Sequence, residues 1–188
     1  KNLADAINSN DIDRVNKIIN RYTTYKSLNN LLNEKISRKG TIIGTYSKKT
    51  ALKRAQGKKV YDILTSKLET LKNYDDFIII SEAENGNLSG VQELLENGAN
   101  VDKRNGDGNT ALLAAAKNGH IDVVKKLKEN RASVNEKGNY RNKTALMMAA
   151  KNGHYDVVKY LKENGASVNE KDKYENTALM LAAINGHI

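Results

Sequence analysis

The chain has 188 residues, a formal net charge of +9, and neither cysteine nor proline. The lack of cysteine excludes disulfides and thiolate metal sites, and no apolar run approaches the ~20 residues that span a bilayer. No amino-terminal apolar stretch reads as a signal peptide, so the compartment stays open, with a cytoplasmic setting favoured and an exported form requiring a signal peptide already removed.

In chain order, residues 1–72 are strongly basic, with 16 Lys and Arg against 6 Asp and Glu. Ala6-Ile7, Asp11-Ile12-Asp13 and then Val15, Ile18 and Ile19 read as a turn followed by a helix with an apolar stripe. Residues 22–49 read as an insertion, in which Leu28, Leu31, Leu32 and Ile36 share one helical face. Thr50-Ala51-Leu52 with Ala55, Val60, Ile63 and Leu64 reads as a degenerate copy of the pattern that follows. Across these two segments runs a block of bases without an acid: Lys35, Arg38, Lys39, Lys48, Lys49, Lys53, Arg54, Lys58 and Lys59. Such a block suits phosphates or an acidic partner. The plainer reading is a solvated surface.

From residue 73 the chain repeats itself. Thr110-Ala111-Leu112, Thr144-Ala145-Leu146 and Thr177-Ala178-Leu179 each open an Ala-rich stretch that ends in Asn-Gly-His, at Gly119, Gly153 and Gly186. A unit of this length reads as one helix–turn–helix element that buries its apolar face only against neighbours, so the chain is an all-α solenoid. Thr110 follows a Gly/Asn/Asp run and is placed to cap a helix. Gly119 ends that helix and reverses the backbone. Ile121, Val123, Val124 and Leu127 then give a second helix its stripe. Ala115 and Ala116, matched by Ala149 and Ala150 and by Ala182 and Ala183, keep the first helices thin enough to stack closely. Gly86-Asn87-Leu88, followed by Val91, Leu94 and Leu95, extends the pattern backward. The domains expected are therefore 1–72, degenerate units with a basic helical insertion, and 73–188, made of units 73–104, 105–138, 139–171 and a truncated 172–188.

Thr144-Ala145-Leu146-Met147-Met148-Ala149-Ala150, Gly153-His154-Tyr155-Asp156-Val157-Val158 and Gly165-Ala166-Ser167-Val168-Asn169 resemble the ankyrin repeat, whose signature runs Thr-Pro-Leu-His-x-Ala-Ala, Gly-His-x-x-Val-Val, Gly-Ala-x-Val-Asn. Ala replaces the signature Pro at 111, 145 and 178, and Leu or Met replaces its His at 113, 147 and 180. Lower stability per repeat is expected, with no change of fold. Arg131 stands where Gly98 and Gly165 end the equivalent helices, so it is expected in a left-handed conformation that disfavours a side chain. Because the last unit stops before its second helix, the protein is expected to continue past Ile188.

No catalytic constellation is present. His120, His154 and His187 recur at one turn position, and stacked repeats would hold them ~8–10 Å apart, too far to share one metal ion. They read as structural turn residues. Gly40 to Lys49 lacks the spacing of a phosphate-binding loop. Asn87-Leu88-Ser89 and Asn142-Lys143-Thr144 fit the glycosylation pattern, which an Asn-rich chain produces by chance. No metal or other cofactor is expected.

The resemblance implies a protein-binding module whose contacts lie on the concave side, where loop tips and first helices line up. Carried onto this chain, the family's variable positions include Tyr74, Asp76, Asp107, Asn109, Lys117, Tyr140, Arg141, Lys143, Lys151, Lys173, Tyr174 and Asn176. Tyr74, Tyr140 and Tyr174 are placed at loop tips, where Tyr supplies contact area with a polar handle. The expected partner is another protein, with an acidic segment, bound by a monomer. Two alternatives stand beside it: nucleic acid or another anionic surface held by the basic block 35–59, or a targeting arm for a larger effector or enzyme.

Overall fold

The structure is a computed structural model that describes residue 6 and residues 11–21, 58–138 and 141–187. The helix expected in residues 22–49, the Thr50-Ala51-Leu52 motif and Tyr140 lie outside the described residues. Those described form helices and turns, without a strand. The chain divides into two compact units, Lys1–Asp75 and Asp76–Ile188.

In the first unit α1 (Ile12–Ile19) starts at Asp11, whose carboxylate accepts the Arg14 backbone N–H at 3.1 Å and so satisfies one of the amides that a helix start leaves free. It buries Val15 and Ile19. Helix α2 (Lys58–Glu84) runs for 27 residues without a glycine or proline to stop it, so positions 72 and 73 lie within one continuous helix. The unit division, between Asp75 and Asp76, also falls inside α2.

In the second unit short helices alternate between two layers. Helices α4 (Ala111–Asn118), α6 (Ala145–Lys151) and α8 (Ala178–Ile184) pack side by side, and α3 (Leu88–Glu96), α5 (Ile121–Glu129) and α7 (Tyr155–Glu163) form the second layer. The starts of α4, α6 and α8 obey one rule. Thr110, Thr144 and Thr177 are extended, and each hydroxyl accepts the N–H three residues on, at 3.3 Å. The ends obey another: Gly86, Gly119, Gly153 and Gly186 have φ between 73 and 78°, open to glycine at little cost. Ala115, Ala116, Ala149 and Ala150 are all buried, which lets α4 and α6 approach closely. Arg131 has φ of 68°, between Gly98 at 91° and Gly165 at 93°, as its place in the repeat implies.

Hydrogen bonds between repeats lock the layers together. The imidazole Nε2 of His120 meets the Glu84 carbonyl at 3.0 Å, and that of His154 meets the Lys117 carbonyl at 3.0 Å. Asn118 and Asn152 donate side-chain N–H groups to the same two carbonyls. Where the second helices end, Asp102 accepts both the amide and the hydroxyl of Ser133, and Asn135 accepts the Ser167 amide while donating to the Gly165 carbonyl. These contacts recur about one repeat apart, so each added unit meets the same complementary edge.

Candidate protein-binding face

Three hairpins precede the first-layer helices. In the first, the Asn105 side-chain carbonyl accepts the amides of Asp107 at 3.0 Å and Asn109 at 2.9 Å. In the third, Asp172 does the same for Tyr174 at 2.8 Å and Asn176 at 3.0 Å. A short side chain that bonds to the backbone two residues on fixes a turn without help from the rest of the fold. Burial acts to raise the Asp172 carboxyl, but the N–H donors of Asn176 and Tyr174, with the charge of Lys143, outweigh it and hold the group below the ordinary carboxylate range.

The middle hairpin is built differently. Gly138 stands where its neighbours have Asn105 and Asp172, and the loop to Thr144 is one residue longer. It closes through a bond from the Gly138 amide to the Lys143 carbonyl at 3.0 Å. Arg141 and Asn142 both take positive φ, 68° and 53°. The Arg141 guanidinium lies over the Tyr174 ring, 5.3 Å from its centre, and the Arg141 carbonyl accepts the Lys173 amide at 2.9 Å. Middle and third hairpins are thus tied by a backbone bond and by a cation over an aromatic face.

The residues that the sequence nominates fall into distinct settings. Asp107, Lys117, Lys173 and Tyr174 are exposed, while Asn109, Arg141, Lys151 and Asn176 are half-buried. Lys117 reaches Glu84 at 3.7 Å. Asp76, by contrast, is 3% exposed, accepts the Asn100 amide and lies 3.9 Å from the Lys103 ammonium, so its carboxylate is spent inside its own repeat. Tyr74 is exposed but sits inside α2, in the first unit, and not at a hairpin tip. Lys143 is buried. Of the basic block, Lys35, Arg38, Lys39, Lys48, Lys49, Lys53 and Arg54 lie outside the described residues, and Lys58 and Lys59 begin α2.

Other parts of this face carry no mark in a single repeat. A hollow of about 30 Å³ lies between α2, α4, α6 and the first hairpin, with Ile80, Leu113, Ala114 and Met148 as its apolar lining and Glu84, Asn109 and Lys117 among its polar residues. Arg104 spreads its guanidinium over the carbonyls of Gly108 and Lys137, at 3.0 and 2.7 Å, and onto the Glu136 carboxylate. In the next step Lys137 pairs with Glu170 at 2.6 Å. The visible signal was a base recurring at 104, 137 and 171.

No helix among the described residues is long and apolar enough to cross a membrane. Comparison with curated proteins gives no match. Comparison with protein families gives ankyrin repeats (3 copies), matched over residues 79–172 and again over 133–188. Ankyrin repeats are generally protein–protein interaction modules and are typically non-catalytic. The matched residues make up more than half of the chain and contain the Thr caps, the left-handed glycines and the histidine bonds between repeats: the chain belongs to the ankyrin-repeat family.

Proposed function

We propose that this protein is a non-catalytic binding module that holds a segment of a partner protein on the concave face formed by its hairpins and by α4, α6 and α8. The observation that supports this reading best is the Arg141–Tyr174 pair. Tyr174 is 57% exposed, yet Arg141 stacks on its ring and a backbone bond fixes its hairpin. An aromatic side chain already held in place loses little entropy when a partner covers it, which is the property of a binding anchor. Along the same face the charge changes from Glu84 to Lys117, Lys151 and Lys173, which gives a bound segment a direction.

Affinity capture from nuclease-treated extract, at low and high salt, tests the proposal by comparing wild type with an Arg141→Ala/Tyr174→Ala variant. A protein retained by wild type at high salt and lost by the variant is the expected result. Binding that appears only with nucleic acid and at low salt would move the activity to the basic block, because phosphate binding through many bases weakens steeply as salt rises.

A further inference from the structure

We infer that the hollow between α2, α4, α6 and the first hairpin is an anchor pocket for one branched aliphatic side chain, Val, Leu or Ile, of the bound partner segment. This deepens the reading above and rests on it. The hollow follows from a single residue in the repeat pattern. At the position that Met148 and Leu181 fill in the next two units, the unit 105–138 has Ala114. Ala114 lines the space together with Ile80, Leu113 and Met148. Where one repeat lacks a large side chain that its neighbours have, the packed helices around it relax only in part and room is left.

Size and charge select the occupant. A volume of about 30 Å³ holds roughly two or three water-sized groups, which matches the branched end of an aliphatic side chain and is too little for an aromatic ring. The rim adds Glu84 and Lys117, whose carboxylate and ammonium stand 3.7 Å apart and are each about half exposed. An ion entering between them would meet one like and one opposite charge and gain little. A neutral side chain is indifferent to both, and its apolar end gains from leaving water. Asn109, on the hairpin side, carries an amide with both donors and an acceptor, the complement of a peptide group, which suits a protein segment better than a lipid chain.

The walls are fixed before a partner arrives. The Glu84 carbonyl accepts a side-chain N–H of Asn118 at 3.1 Å and meets His120 Nε2 at 3.0 Å. The Lys117 carbonyl accepts from Asn152 at 2.7 Å and meets His154 Nε2 at 3.0 Å. Each rim residue is thus held through its backbone by the repeat that follows it. On the hairpin side the Asn105 side chain fixes the amides of Asp107 and Asn109. A pocket formed in advance spares a partner the cost of ordering it.

The test is selection of random peptides against the wild-type protein and against Met148→Ala, followed by affinities of the wild-type set for Ala114→Met and Arg141→Ala/Tyr174→Ala. The expected wild-type peptides share one fixed Val, Leu or Ile. Ala114→Met supplies the side chain that the next repeat has, and should bind them about tenfold or more weakly with an unfolding midpoint equal to or above wild type. Met148→Ala widens the hollow and should move the preference at that place to Met or Phe. A selection that enriches no peptide, peptides without a fixed aliphatic residue, or an unchanged preference in Met148→Ala would overturn the pocket. So would a lower midpoint in Ala114→Met, because the space to be filled would not be there. If the peptides ignore both Ala114→Met and Arg141→Ala/Tyr174→Ala, the concave-face reading falls and the pocket with it. If only Ala114→Met is ignored, the face stands and the pocket alone is wrong.

Discussion

The imidazole of His154 rests on Gly119 of the preceding repeat and reaches past it to the Lys117 carbonyl at 3.0 Å; a Cβ at Gly119 would lie 2.5 Å from the ring's Nδ1. His120 stands in the same relation to Gly86 and the Glu84 carbonyl. One glycine therefore meets two demands, a left-handed turn and room for the next repeat's ring. Gly165 meets only the first, with φ of 93° and open space for 4 Å around the place a Cβ would take. Gly119→Ala is expected to cost roughly 2–3 kcal/mol and Gly165→Ala about 1–2 kcal/mol. Urea denaturation of the two variants checks the order, and adding His154→Ala to Gly119→Ala should recover part of the steric loss.

Arg131 occupies the backbone conformation of its glycine counterparts, with φ of 68°. Arg131→Gly should raise stability by about 1 kcal/mol, since the left-handed penalty outweighs the entropy that a glycine adds to the unfolded chain. A thermal or chemical midpoint that stays level or drops would show that the Arg131 side chain makes a compensating contact.

The Arg104 guanidinium meets two carbonyls and a carboxylate at once, a task for a planar fork and not for a single ammonium. Arg104→Lys should therefore lose about 1 kcal/mol despite keeping its charge. Stability equal to wild type would reduce this contact to simple charge attraction.

Lys143 links stability to pH. Burial first, then Lys151 and Arg141, hold its ammonium below the ordinary value of 10.5. The unfolded chain keeps this proton until 10.5, whereas the folded chain releases it earlier. Between the two values the unfolded state binds more protons, so folding gains stability as pH rises; below both, the full cost of the buried charge remains. Lys143→Asn should be the more stable protein at neutral pH, and the gap should narrow as pH approaches 10.5. Denaturation curves of both proteins over that range check the sign.

Much of this was legible because one repeat states its own rules. A Thr before an Ala-rich run caps, an Asn-Gly-His turn reverses the chain, and Arg131 betrays its conformation by standing in a glycine's place. What could not be read were contacts between residues far apart in sequence. Asp76 looks like a surface acid until the Asn100 amide, 24 residues on, takes its carboxylate. Lys143 looks like an exposed loop lysine until the fold buries it to 5% exposure. The repeat spacing puts Tyr74 at a loop tip, whereas the stretch from Lys58 to Glu84 holds no glycine to end a helix and folds as one. Tyr140 and the basic block from Lys35 to Arg54 lie outside the described residues.

The most direct measurement is hydrogen exchange of the protein alone and with its captured partner. The account predicts slowed exchange at the hairpins and first helices, residues 105–118, 141–151 and 172–184, with α5 and α7 unchanged. Protection confined to α5 and α7, or to residues 35–59, would contradict it.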